Sequence, residues 1–281
     1  MTAAQTPSEK VTLATLRGMV RRGVPFPMLT CYDATTARWL ARGGVRVLLV
    51  GDSAAQTILG FEHTNQAPLE FMLTITAAVK RGAPDCFIVG DMPFMSYQAD
   101  DAEAIRNAGR FLVEGGADAV KLEVGAAHAP LIEKLARAGI PTIAHIGWRP
   151  HRTQQVGVPV VAGRSEAQIQ SLVDVAVQMQ DAGAVMLLIE QSTAEASGRV
   201  VREVGIPVIG CGAGPACHGH VIILQDWLGM SDWHPSFAQP IVDGGSWLSE
   251  KAAQWVNLVE SGQYLSDDHP YKMNPEPKAT R

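Results

Sequence analysis

Short apolar runs alternate with amphipathic stretches along almost the whole chain. Most runs start just after a glycine and finish on an ionisable side chain. The fullest copy is Val120–Gly125, introduced by Glu114-Gly115-Gly116 and carrying Lys121 and Glu123. The phrase returns where Gly43-Gly44 leads into Val45–Asp52, Gly82 into Cys86–Asp91, Gly139 into Pro141–His145 and Gly183 into Val185–Glu190. Runs that are apolar at both parities fit strands buried on both faces of a parallel sheet, and the stretches between them carry helical spacing. The pattern predicts strands over Pro27–Asp33, Val45–Asp52, Cys86–Asp91, Ala119–Val124, Pro141–Ile146, Val185–Glu190, Ile206–Gly210 and Val221–Leu224. It predicts helices over Ser8–Arg21, Thr35–Ala41, Leu69–Arg81, Ala102–Glu114, Pro130–Ala138, Glu166–Asp181, Ala194–Glu203 and Ser246–Ser261. Two connections are long. One is Ser53–Pro68; the other, Gly147–Arg164, is rich in Pro, Gly, Gln and Arg and reads as a lid or binding loop.

Strict alternation of β and α elements requires parallel strands with helical crossovers. An open doubly wound sheet and a closed eight-stranded barrel both satisfy it. The strand count, and 281 residues against about 250 for a typical barrel, favour an α/β fold of the (βα)8 TIM-barrel type. An extra N-terminal helix would plug its base or meet a neighbouring subunit. No interior stretch has linker character, so residues 1–265 read as a single barrel domain and 266–281 as a polar C-terminal tail.

Composition narrows the function classes. Hydrophobic residues make up 47% of the chain, enough for a large core. The net charge of −5 is spread without a basic stripe, which argues against a nucleic-acid partner. The four cysteines show no paired spacing and suit a reducing cytoplasm. Met1–Lys10 lacks the apolar core of a secretory signal, and no apolar run approaches the roughly 18 residues of a membrane span. A cytoplasmic protein with no membrane partner is expected.

The strand ends carry the chemistry. Asp33, Asp52, Asp91, Glu123, His145 and Glu190 finish predicted strands, and Lys121 leaves its strand on the same side as Glu123. In a parallel barrel these ends open onto the face where active sites are built. Buried carboxylates that converge need a counter-charge, and a bound cation is the simplest one. Oxygen ligands suit Mg²⁺, which a 2-oxo acid would chelate. The metal would stabilise an enolate, and a spare carboxylate of raised pKa would act as the base. Simpler readings stand beside these. Asp33 and Asp226 fit helix N-caps or loop salt bridges, and His145 fits a core histidine. Gly210-Cys211-Gly212-Ala213-Gly214 fits either an anion-binding turn or a plain tight turn. His218-Gly219-His220 lacks a convincing third metal ligand.

Taken together, Thr30-Cys31-Tyr32-Asp33, Val50-Gly51-Asp52-Ser53, Asp91-Met92-Pro93-Phe94-Met95-Ser96-Tyr97, Val120-Lys121-Leu122-Glu123, His145-Ile146-Gly147 and Ile206–Gly214 resemble ketopantoate hydroxymethyltransferases. The resemblance runs from about Met28 to Leu228. It implies a (βα)8 barrel in a homo-oligomer, a decamer in many bacterial members. It also implies transfer of a hydroxymethyl group from 5,10-methylenetetrahydrofolate to 3-methyl-2-oxobutanoate, giving 2-dehydropantoate for pantothenate biosynthesis. By the same resemblance, Asp52, Asp91 and Glu123 hold Mg²⁺, and Asp52, Ser53, Asp91 and Lys121 hold the oxo acid. Glu190 is the catalytic proton acceptor, and His145 stands beside the substrate. The chain departs from the family after Ser53 (Ala54-Ala55-Gln56, Phe61–Asn65). It departs again after Gly147, where Trp148-Arg149-Pro150-His151 replaces the usual Leu-Thr-Pro-Gln, at Val156–Pro159 and at His218. These departures leave room for a different 2-oxo acid, with Arg149 and Arg152 as candidates to recognise an extra anionic group. A carbon–carbon lyase of the phosphoenolpyruvate mutase and isocitrate lyase type is the further alternative.

Overall fold

The strands are short and mostly shut away from water on both faces, which is why most of their residues are apolar at both parities; Pro27 and His220 are the exposed exceptions. The computed structural model describes residues 9–265 and Tyr271. The chain runs α1 Leu13–Arg21, β1 Phe26–Thr30, α2 Ala34–Arg42, β2 Val47–Val50, α3 Ala54–Thr57, α4 Leu69–Gly82, β3 Phe87–Asp91, α5 Asp101–Val113, β4 Ala119–Glu123, α6 Ala129–Arg137 and β5 Thr142–Gly147. It continues with α7 Thr153–Val156, α8 Glu166–Asp181, β6 Met186–Glu190, α9 Ala194–Glu203, β7 Val208–Cys211, β8 Gly219–Ile222, α10 Leu224–Trp227 and α11 Gly244–Glu260. The strands are parallel and close in sequence order, with β8 pairing back to β1 from Phe26↔Gly219 to Leu29↔Ile222. The fold is a (βα)8 barrel, and the open sheet is excluded.

Alternation divides each strand between two cores. Val47, Leu49, Phe87, Val89, Ala119, Ile143, Met186 and Leu188 pack in the barrel interior together with Val11 and Leu16, so the leading helix plugs the base. Leu48, Val50, Ile88, Val120, Leu122, Ala144, Leu187 and Ile189 pack outward under the helices. The plug starts later than the pattern predicts. Val11 is tied by its N–H to the Asp85 carbonyl, and Thr12 caps the helix by exchanging hydrogen bonds with Thr15. The last strand starts earlier, at Gly219, where a side chain would strike Phe26 of β1. The polar tail assigned to 266–281 lies outside the described residues apart from Tyr271.

The outer layer is incomplete. No helix lies between β7 and β8, and α11, although 17 residues long, buries none of its own. Trp247, Leu248, Trp255 and Val256 on it are each about half exposed. On the side of the barrel between α9 and α2, Pro27 of β1 and His220 of β8 are exposed, and Trp39 stands 64% exposed.

Candidate active site

The parity that turns Ala119 inward also turns Lys121 and Glu123 inward, and it does the same for Asp91, His145 and Glu190. They meet at the strands' carboxyl ends around a cavity of about 680 Å³, with Asp52 and Ser53 reaching it from the turn after β2. Five of these seven residues come from four neighbouring strands, β3 to β6. Pairing places Asp91 beside Lys121, Glu123 beside His145, and Gly147 beside Glu190. Gly147 has φ of 87°, and a side chain there would strike the Glu190 carbonyl. That close approach turns the chain off β5 into the long loop and back over the cavity.

Lys121 is the charge centre. Its Nζ stands 2.9 Å from Asp91 Oδ1 and donates to His145 Nδ1 at 3.2 Å. Asp91 Oδ2 accepts the Asp52 backbone N–H at 3.0 Å. An ammonium only donates, so Nδ1 of His145 is the acceptor and the ring proton sits on Nε2. That Nε2 is buried, makes no hydrogen bond, and lies 3.4 Å from Glu190 Oε2. Burial, reinforced by the Lys121 charge, keeps His145 well below the ordinary histidine range, so the imidazole is neutral.

Four carboxylates surround the single ammonium. Burial opposes ionisation of Asp52, but the hydrogen bond and charge of His151, with Lys121 behind them, hold it well below the usual carboxylate range. Burial pushes Asp91 and Glu123 up to about 8, with the Asp52 charge adding in each case. Glu190 also rises to about 8 through burial, helped by the Glu123 and Asp52 charges. Burial alone would lower Lys121, and the Asp91, Asp52 and Glu123 carboxylates override it and raise its pKa. The surplus negative charge is what a divalent cation neutralises, so the donor chemistry fits one. Among the described residues, Asp52, Glu123 and His151 bring donor atoms within 4.8 Å of one another. Asp91 sits beside this group, with each of its oxygens already engaged on one side.

His151 carries no signal in the sequence that links it to this chemistry. It lies in a short 3-10 turn, Pro150–Arg152, inside the long loop. Nε2 is 2.9 Å from Asp52 Oδ2, and the backbone N–H donates to Glu123 Oε2 at 3.0 Å. Nδ1 is 3.2 Å from the Tyr97 hydroxyl, which accepts the Glu123 N–H at 3.0 Å. Asn65 Nδ2 donates to the His151 carbonyl at 3.1 Å. The two loops that depart from the family phrase therefore touch one another.

The remaining candidates separate cleanly. Ser53 Oγ is paired with the Tyr32 hydroxyl at 2.8 Å at the cavity wall. Asp33 is an N-cap, its Oδ1 accepting from the N–H groups of Thr35 and Thr36 at 2.8 Å each. Asp226 lines the cavity and accepts from Ser231 Oγ at 2.6 Å. Neither Arg149 nor Arg152 lines the cavity; Arg149 packs over Gly125, and Arg152 bonds Gln155. His218 Nδ1 accepts the Val208 N–H, a structural use that leaves the H-x-H spacing without a metal role. In the glycine-rich turn after β7, Gly212 and Gly214 have positive φ and pack against Phe237 and Ala194, as a tight turn does.

The ketopantoate hydroxymethyltransferase family matches residues 10–267. The 3-methyl-2-oxobutanoate hydroxymethyltransferase of Syntrophus aciditrophicus (strain SB) is 37% identical over 270 residues, covering 96% of this chain and 99% of its own length. That of Pyrobaculum aerophilum is 41% identical over 245 residues, covering 87% and 93%. Among solved structures, 2,3-dimethylmalate lyase superposes with a TM-score of 0.59 at 18% identity, covering 92% of this chain and 91% of its own. A phosphonopyruvate hydrolase does so with 0.61 at 13%, covering 92% and 90%. At these identities the structural likeness speaks for the barrel alone.

Proposed function

The chain belongs to the ketopantoate hydroxymethyltransferase family, and from that membership and the cavity's geometry we propose a specific reaction. A hydroxymethyl group passes from 5,10-methylenetetrahydrofolate to 3-methyl-2-oxobutanoate, giving 2-dehydropantoate. The observation that carries the reading is the buried constellation of Lys121, neutral His145 and Glu190 beside a carboxylate group fit for a cation. Asp52, Asp91 and Glu123 would hold a divalent cation, Mg²⁺ by the family resemblance. When bound, it supplies Lewis-acid stabilisation for negative charge on the substrate's oxygens.

The protein's own groups do the rest. Lys121, with Ser53, Asp52 and Asp91 around it, offers the fixed positive charge that orients an oxo-acid carboxylate. Glu190 faces the cavity with a pKa near 8, matched to a base that takes the C3 proton close to neutral pH. His145 offers Nε2–H, unspent on any protein partner, as a neutral hydrogen-bond donor to the oxygen that gains charge. The carbon freed of its proton then bonds to the donor's methylene carbon, whose two C–N bonds break in favour of that bond and of a hydroxyl from water; the C3 proton and the second water hydrogen go to the two nitrogens of the departing tetrahydrofolate. Trp148, Trp233 and Phe237 line the cavity and offer flat apolar surface for a pterin ring. The lyase alternative has no observation of its own, since the lyase-like structures share the fold only.

Two coarser features extend the reading. Among the described residues no helix is long and apolar enough to cross a membrane, and the four cysteines are free thiols, which suits a cytoplasmic enzyme. α11 buries none of its residues and leaves Trp247, Leu248, Trp255 and Val256 about half exposed, as Trp39 is on the side between α9 and α2, so we assign α11 to a contact with a second copy in a homo-oligomer. The decameric size is taken from the family resemblance. The test of the reaction is incubation with a divalent cation, methylenetetrahydrofolate and a panel of 2-oxo acids, with products identified by mass spectrometry. 2-Dehydropantoate from 3-methyl-2-oxobutanoate is expected. A higher kcat/KM with another acid would reassign the substrate, and no product from any acid would overturn the reading.

A further inference from the structure

Among the described residues, the tightest gathering of metal donors is not the three carboxylates but Asp52, Glu123 and His151. We propose that His151 is a direct metal ligand, making the centre a mixed nitrogen and oxygen site that prefers Mn²⁺ or Co²⁺ to Mg²⁺. The inference rests on the metal-dependent reading above and sharpens it.

Three observations carry it. First, the spacing suits a shared ion: donors at right angles on an octahedral ion of bond length 2.0–2.1 Å lie about 3 Å apart, and His151 Nε2 is 2.9 Å from Asp52 Oδ2. Second, the ring is fixed. Its backbone N–H is held by Glu123 Oε2, its carbonyl by Asn65, and the residue is 7% exposed.

Third, the far side of the ring is already equipped for a ligand's tautomer. A histidine that coordinates through Nε2 carries its proton on Nδ1 and needs an acceptor there. The Tyr97 hydroxyl lies 3.2 Å from Nδ1 and can pass its own hydrogen to the Glu123 carbonyl, also at 3.2 Å. Every polar hydrogen in that chain then has a partner. Tyr97 thus orients two members of the group at once, the imidazole of His151 and the backbone of Glu123.

The consequence is selectivity. An all-oxygen site suits Mg²⁺, whereas an imidazole donor moves preference along the series toward Mn²⁺, Co²⁺ and Zn²⁺. The Asp52, Asp91 and Glu123 carboxylates supply the negative charge that attracts Mg²⁺, so loss of one neutral donor leaves that attraction in place.

The test is pulsed electron paramagnetic resonance of the full-length protein loaded with Mn²⁺, with isothermal titration of Mn²⁺, Co²⁺ and Mg²⁺ alongside. The wild type should show ¹⁴N coupling from a coordinated imidazole and bind Mn²⁺ and Co²⁺ more tightly than Mg²⁺. His151→Gln, verified as folded by its circular dichroism and melting curve, should lose that coupling. It should also lose Mn²⁺ and Co²⁺ affinity at least about tenfold, the lower bound for disturbing even an outer-shell partner, with Mg²⁺ affinity little changed. His145→Gln should keep the coupling. Bound Mn²⁺ without ¹⁴N coupling, or coupling that survives His151→Gln, would overturn the assignment of His151 and leave a carboxylate metal site standing. Failure of the wild type to bind any of the three ions would instead overturn the metal-dependent reading itself.

Discussion

Replacing Lys121 by methionine removes the one ammonium among three buried carboxylates and the half-buried Glu190 while keeping the side chain's length. At 2.9 Å and an effective dielectric of 20, its attraction to Asp91 is about 6 kcal/mol before desolvation is counted. Desolvation offsets part of that, and breaking a buried pair of this kind typically costs about 3–5 kcal/mol. The cost depends on pH, because Asp91 can take a proton instead of standing unpaired. Its pKa is already near 8, and without Lys121 it rises further. At about pH 9, one unit above that value, wild-type Asp91 is ionised and the loss is about 1.4 kcal/mol greater than at low pH. At about pH 6 Asp91 is neutral in the variant, and the loss falls toward about 1 kcal/mol, one ordinary hydrogen bond. Urea unfolding of metal-free wild type and Lys121→Met at both pH values measures this. Nuclear magnetic resonance of the histidines supplies a second readout, since Lys121 helps hold His145 low, and its pKa should rise in the variant. Equal losses at the two pH values, or a His145 resonance that does not move, would refute Lys121 as the cluster's counter-charge.

Metal-free wild type should itself lose stability with rising pH. Asp91, Glu123 and Glu190 bind their protons more tightly in the folded state, so their contribution is complete below the ordinary carboxylate range and is lost as pH passes about 8. Asp52, held low, acts in the opposite sense in acid, its contribution fading as pH falls below the ordinary range. Unfolding midpoints between about pH 5 and 9 should therefore decline in chelator and flatten when a divalent cation is added; a flat profile in chelator would contradict the charge assignment. For assembly, Trp255→Glu on the exposed face of α11 should lower the oligomer's mass in sedimentation without unfolding the barrel, and an unchanged mass would remove α11 from the interface.

Most of the architecture is legible in the chain because each strand's two parities have different work, and both are apolar. The alternation fixes strands and helices, strand count and length favour closure, and the parity places Lys121 and Glu123 on one side before any coordinate is known. The strand-end acids divide only in three dimensions. Asp33 and Asp52 look alike in sequence, yet Asp33 spends its carboxylate on the N–H groups of α2, whereas Asp52 faces the cavity. His151 is 99 positions from Asp52 and belongs to no periodic element, so nothing local marks it. The same holds for the contact between Asn65 and His151, which joins two loops that read separately as mere departures. The helical spacing of α11 is plain, but that none of its residues is buried is a property of the whole layer and is written nowhere in its own residues.

The central claim is that Glu190 removes the C3 proton of a bound 2-oxo acid. It is tested most directly by following deuterium entry into 3-methyl-2-oxobutanoate in D₂O, with a divalent cation and without the folate donor. Wild type should exchange the C3 hydrogen, and Glu190→Gln should exchange it at least about 100-fold more slowly, as expected for loss of a general base. Exchange at the same rate in the two proteins, or none in the wild type, would contradict the account.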